Sequence, residues 1–169
     1  MYLIIAGTNR PGSNTLKLAR LYEQLLLQRN VPVKLLSLES VNTLERSAAF
    51  EAIENEWLNP ASRFIFVSPE YNGSFPGVLK GLFDTGRPSA TWYYKKAALV
   101  GVATGRAGNL RGMDHLTAVL QHMKVTVYPG SLPISQVDKL MDASGQITDP
   151  ATLAAVEQQI DGYLSWCGA

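Results

Sequence analysis

Three stretches of the chain gather residue types suited to holding a ligand: Gly7 to Asn14 (GTNRPGSN), Pro69 to Gly77 (PEYNGSFPG) and Thr104 to Gly112 (TGRAGNLRG). In the first, Arg10 can make a charge-assisted, bidentate bond to a phosphate, and Thr8, Ser13, Asn14 and Thr15 add neutral donors. The stretch leads into a leucine-rich segment with helical spacing, and a helix start offers an anion unsatisfied N–H groups and the positive end of a dipole. It lacks both the three glycines of the dinucleotide fingerprint and the Gly-Lys-Ser/Thr of the P-loop, so the phosphate it suits is that of a mononucleotide. The same residues equally suit an ordinary βα turn, with Ser13 as N-cap and Arg10 in solvent.

The second stretch sets an acid, an aromatic ring and an amide between two prolines. Tyr71 can stack on a flat ring, while Asn72, Gly73 and Ser74 offer donors to ring carbonyls or nitrogens. Asn72-Gly73 also reads as a plain β-turn. In the third stretch Gly105, Gly108 and Gly112 permit close backbone approach, with Thr104 and Asn109 between them; glycines serve simple turns as well. His115 and His122 lie seven apart on one predicted helix, but no cysteine or carboxylate cluster joins them, so they read as structural or solvated and no metal site is expected. Cys167 has no evident basic partner and reads as an inert small residue.

The elements that must position these stretches follow from the apolar pattern. Tyr2–Ala6, 31–38, 63–68, 97–103 and 125–128 read as strands, several of them continuously apolar as in sheets buried on both faces. Helices are expected over about 13–30, 45–58 and 76–83, after TGRAGNLRG through about 123, and over 150–166. Alternating strands and helices imply an α/β fold of three layers, a parallel sheet with helices on both faces. With five strands the usual arrangement is the flavodoxin-like order 2-1-3-4-5. That order makes strands 1, 3 and 4 neighbours, and the loops leaving their carboxyl ends are the three stretches named above.

Composition limits the remaining classes. A hydrophobic content of 46% with 17% charged residues describes an ordinary folded chain. The net charge of +1 asks for neither nucleic acid nor an anionic membrane as partner. The single cysteine rules out an internal disulfide and fits a reducing compartment, so the expectation for residues 1–169 is one cytoplasmic domain without signal or membrane segment. PSATWYYKK (Pro88 to Lys96) clusters three aromatics ahead of strand 4; packing under a loop, a lid over the site and a subunit interface all suit it, and the interface is favoured.

GTNRPGSN followed by SPEYNGSFPGVLKGLFD resembles the NAD(P)H-dependent FMN reductase family, which includes quinone, azo-dye and chromate reductases. The resemblance runs from about Tyr2 to Tyr128. It implies FMN as cofactor, with Thr8, Arg10, Ser13, Asn14 and Thr15 at its phosphate. Pro69, Glu70, Tyr71, Asn72, Gly73 and Ser74 would wrap the isoalloxazine, bordered from the other side by Thr104, Gly105 and Gly108. Glu70 is expected to contribute through its backbone. The resemblance further implies NADPH or NADH as co-substrate, a free flavin, quinone or similar small acceptor, ping-pong kinetics without a catalytic acid or base, and a homodimer or homotetramer. Two positions depart from the family pattern: Asn109 stands where a second glycine is usual, and Gly81-Leu82-Phe83-Asp84-Thr85 replaces Asn-Ala-Ile/Leu-Asp-Trp. The alternatives are a flavodoxin-like electron carrier, which the near-neutral charge and Arg10 oppose, and a non-catalytic nucleotide-binding domain, which the Pro-Glu-Tyr-Asn string opposes.

Overall fold

The computed structural model describes residues 1–168. Its sheet is built on β1 (Tyr2–Ala6), a strand with every residue buried. On one side β1 pairs with β2 (Val33–Ser37) and on the other with β3 (Arg63–Pro69), both parallel, setting Ile4 opposite Leu35 and Ile65. Next to β3 lies β4 (Lys96–Val102), and beyond it β5 (Thr126–Val127), giving the order β2-β1-β3-β4-β5. That is the order expected from the alternation of elements.

Alternate side chains of the central strands feed two cores. Tyr2, Ile4, Ala6, Ile65, Val67, Ala98 and Val100 face α1 (Asn14–Gln28) and α6 (Pro150–Cys167). Leu3, Ile5, Phe64, Phe66, Ala97 and Leu99 face α2 (Ala48–Ile53), α3 (Gly77–Thr85) and α5 (Leu110–His122). Period-2 alternation over apolar runs is what lets one sheet supply both layers. Helix starts are capped as their residues dictate: Ser13 Oγ accepts from the Leu16 N–H (3.1 Å) and Asp149 Oδ2 from the Thr152 N–H (2.8 Å).

Three local differences from the sequence-based expectation have physical causes. The fifth strand, expected over 125–128, is only two residues long; the chain leaves β4 and returns to it farther along as β6 (Leu132–Ile134). Pro129 cannot donate to a ladder, and the Tyr128 ring folds into space left by Gly130 and Gly162, where a Cβ would strike it. The second helix starts three residues later than expected and changes to a π-helical turn over Glu54–Leu58. PSATWYYKK contains a single turn, α4 (Pro88–Thr91), and Trp92 is fully buried against Phe64, Phe66 and Phe83. This stretch feeds the amino end of β4, the opposite end of the sheet from the three loops, which removes the lid reading. Tyr94 alone of its aromatics is strongly exposed, at 80%.

Inside the second core Glu54, 1% exposed, accepts from Arg46 Nη2 (2.5 Å), the Arg87 N–H (2.6 Å) and Thr91 Oγ1 (3.1 Å). Burial pushes its carboxyl up, yet these donors outweigh burial and hold it below the ordinary glutamate range. Lys95 Nζ donates to the carbonyls of Leu58 (2.9 Å) and Asn59 (3.0 Å) at the end of the π turn, and burial lowers its pKa to about 8.

Candidate functional site

Parallel order brings the carboxyl ends of β1, β3 and β4 together, and a cleft of about 240 Å³ opens there. Its lining contains Thr8, Arg10, Ser13, Asn14, Thr15, Pro69, Glu70, Tyr71 and Thr104 from the predicted set. Asn72, Gly73, Ser74, Gly105 and Gly108 stand outside that lining. Pro11, Val102, Ala103 and Val137 belong to it and were not anticipated. Val102 and Ala103 are the carboxyl end of β4, a position the switch-point rule identifies once strand order is known. Val137 had no signal: it arrives through β6, where its N–H bonds the Ala103 carbonyl (3.1 Å).

The first loop sits at the start of α1. Helix geometry leaves the first-turn amides without intrahelical acceptors, and Ser13 takes only that of Leu16. Thr8, 2% exposed, receives the Arg10 N–H at its Oγ1 (3.3 Å). The Arg10 side chain is exposed, with its guanidinium 4.3 Å from the centre of the Tyr71 ring. Tyr71 OH and Thr8 Oγ1 share a hydrogen bond of 2.5 Å, so the first and second loops meet across the cleft.

The second loop is a tight turn. Tyr71 and Ser74 exchange N–H···O bonds (2.8 and 3.1 Å), and Asn72 (φ 53°) and Gly73 (φ 77°) both occupy the left-handed region. That pairing is why Asn-Gly occurs here. The amides of Tyr71 and Ser74 are thus engaged in the turn, whereas those of Asn72 and Gly73 at its apex donate to no main-chain carbonyl among the described residues. The Glu70 N–H donates to the Val102 carbonyl (3.0 Å), so the main-chain donor expected from Glu70 is already used in the sheet. Its carboxylate is exposed.

In the third loop Thr104 reaches the cleft, whereas the Gly105 carbonyl is taken by the Gln136 N–H (3.0 Å) and Gly108 is buried beside Pro133 and Ile134. Asn109 follows the left-handed path a glycine would take (φ 65°), a conformation asparagine tolerates better than most residues. His115 and His122 are both exposed on α5, and Cys167 is buried and unpaired.

At the other family departure, Gly81 lets the 38–47 loop press onto α3: a Cβ there would lie 2.8 Å from both Thr43 O and Thr43 Oγ1. Thr85 Oγ1 donates to the same Thr43 carbonyl (2.7 Å). Gly81 and Thr85, both within this departure, therefore act together, docking one loop through one residue.

Taken as a donor set, the cleft joins a cationic, hydroxyl-rich helix start to the aromatic ring of Tyr71, with the amide turn of Asn72 and Gly73 just outside its lining. That is the chemistry a phosphate joined to a flat heteroaromatic ring requires. A family model described as NADPH-dependent FMN reductase matches residues 2–139. An NAD(P)H-dependent FMN reductase of Pseudomonas aeruginosa is 32% identical over 116 residues, 66% of this chain and 62% of that protein. A 2-hydroxy-1,4-benzoquinone reductase of a Burkholderia species is 30% identical over 110 residues, 63% of this chain and 60% of that protein. The matched part thus spans about three-fifths of the length of these two relatives. Among solved structures, the flavoenzyme NAD(P)H:(acceptor) oxidoreductase FerB of Paracoccus denitrificans superposes with a TM-score of 0.80 at 21% identity, covering 98% of this chain and 95% of that one, a likeness of fold.

Proposed function

The chain belongs to the NADPH-dependent FMN reductase family, and from that premise we propose that it is an FMN-dependent NAD(P)H oxidoreductase delivering electrons to a free flavin, a quinone or a similar small acceptor. The observation that carries this reading is the cleft itself, which Thr8, Arg10, Ser13, Asn14 and Thr15 line together with Pro69, Tyr71 and Thr104.

In this reading Arg10 and the first-turn amides of α1 neutralise and orient the phosphate, with the hydroxyls of Thr8, Ser13 and Thr15 completing the shell. Pro69 to Ser74 fix the plane of the ring, and the apex amides of Asn72 and Gly73 supply donors at its edge. Gly105 and Gly108 shape the third wall from behind the lining. When bound, FMN supplies the capacity to take two electrons from NAD(P)H and pass them on. The residues of the chain bind and orient; none is required as a catalytic acid or base, and one open face serves donor and acceptor in turn.

A homodimer or homotetramer belongs to the same proposal and is supported by the family resemblance; a cytoplasmic setting belongs to it too and is supported by the single cysteine. Among the described residues no helix is long and apolar enough to cross a membrane.

The test is direct. Purified protein titrated with FMN should quench flavin fluorescence and then oxidise NADPH or NADH when a quinone is present, with parallel double-reciprocal lines as the quinone concentration is varied. Binding without turnover would indicate an electron carrier instead, and indifference to FMN would dismiss the site.

A further inference from the structure

We propose that the first turns of α5 clamp the second loop at both of its ends, which makes Asn109 and His115 positioning residues for the ring of the bound flavin; this rests on the cleft being the FMN site. Asn109 is fully buried, and its Nδ2 donates to two successive carbonyls, Ser68 O (2.9 Å) and Pro69 O (3.0 Å), where β3 becomes the loop. At the far end of the same loop, Ser74 Oγ and His115 Nδ1 share a hydrogen bond of 2.9 Å. Between the anchors the Arg111 side chain lies against the turn, with Nη1 only 3.1 Å from where a Cβ on Gly73 would stand. One helix thus holds the entrance, the apex and the exit of the segment that carries Tyr71.

Asparagine at 109 also carries a cost to stability. Its Oδ1 is buried without a hydrogen-bond partner, a cost of about 1–3 kcal/mol, and its backbone is left-handed, where glycine sits freely. What asparagine supplies and glycine cannot is the double tie to Ser68 and Pro69. A loop tied before the ligand arrives spares binding the entropy of ordering it, so the ties appear in cofactor affinity and ring placement. Neither Asn109 nor His115 lines the cleft, and both act through the loop.

The experiment compares the wild-type protein with Asn109→Gly, His115→Ala and His115→Asn. Two lost hydrogen bonds should raise the FMN dissociation constant of Asn109→Gly about 10- to 30-fold, and one lost bond that of His115→Ala about 2- to 10-fold. Both variants should shift the visible absorption bands of the bound flavin and lower kcat at saturating FMN. His115→Asn, which can still bond Ser74, should restore affinity and spectrum. His115 is exposed, so this pair reports even where Asn109→Gly does not fold. Wild-type binding together with unchanged affinity and superimposable spectra in the variants would overturn the clamp and leave the FMN reading standing. A wild type that does not bind FMN would overturn both.

Discussion

Arg10 stands exposed above the Tyr71 ring, without a carboxylate partner among the described residues. A cation placed so contributes little to folding and is available to an anion. Arg10→Ala should therefore leave the urea midpoint unchanged while weakening FMN binding by about 1.5–3 kcal/mol, roughly 10- to 150-fold in dissociation constant. Riboflavin, which lacks the phosphate, should not distinguish the variant from wild type; a titration in which it does would reassign Arg10 to the ring. Glu54 is the opposite case, a buried carboxylate with no part in the cleft and three donors around it. Removing it in Glu54→Ala orphans the Arg87 amide and frees Arg46, which reaches solvent, so the cost should be about 3 kcal/mol, the low end for a broken buried pair. The folded-state pKa is depressed, so the contribution is fully present above the ordinary glutamate range and fades as pH falls through the lower folded value. Urea midpoints of wild type and variant should accordingly converge toward acid, and a gap constant down to the lowest pH would contradict that assignment. Arg10 was legible in the sequence because a cation in a Gly/Asn/Ser-rich loop has few structural duties. Glu54 was not, because its partners stand 8, 33 and 37 positions away.

At the scale of elements, what could be read was whatever a short apolar period encodes. β1, β3, β4, α1 and α6 lie within a few residues of their expected places, because continuous Leu, Ile, Phe and Val runs and helix caps are local signals. The edge strand was misread because its break depends on Tyr128 finding room beside Gly162, a contact across the fold. The docking of the 38–47 loop on α3 was invisible for the same reason, and it yields a test in which two effects of opposite sign compete. Glycine inside a helix costs about 1 kcal/mol relative to alanine, so Gly81→Ala in open space would stabilise α3. Here the new methyl meets a backbone carbonyl at 2.8 Å, and overpacking of that kind costs about 1–3 kcal/mol. The clash should win, lowering the urea midpoint by the equivalent of about 1 kcal/mol while FMN affinity stays as in wild type. A stabilised Gly81→Ala would mean that Thr43 moves aside and that the loop is not fixed by this contact.

For the whole molecule, strand order mattered more than any motif. None of the three loops identifies a site by itself, since each also suits an ordinary turn; the order β2-β1-β3-β4-β5 puts them at one end of the sheet, and Val137 joins them only through β6. A cleft assembled from segments so far apart in sequence exists only in the folded chain, which ties cofactor affinity to global stability. A ligand that binds the native state alone stabilises it by RT ln(1 + [L]/Kd), about 2.7 kcal/mol at one hundred times Kd. For a chain of this length each kcal/mol raises Tm by about 2–4 °C, so FMN at that concentration should raise the melting temperature by about 5–10 °C. Because Thr8, Arg10, Ser13, Asn14 and Thr15 of the first loop and Tyr71 of the second line the same cleft, the phosphate half and the ring half of the ligand should each contribute. Riboflavin at the same concentration should therefore give a smaller rise, and in Arg10→Ala the two flavins should shift Tm nearly alike. Equal shifts from FMN and riboflavin in the wild type would place the phosphate outside the cleft and leave the first loop an ordinary turn.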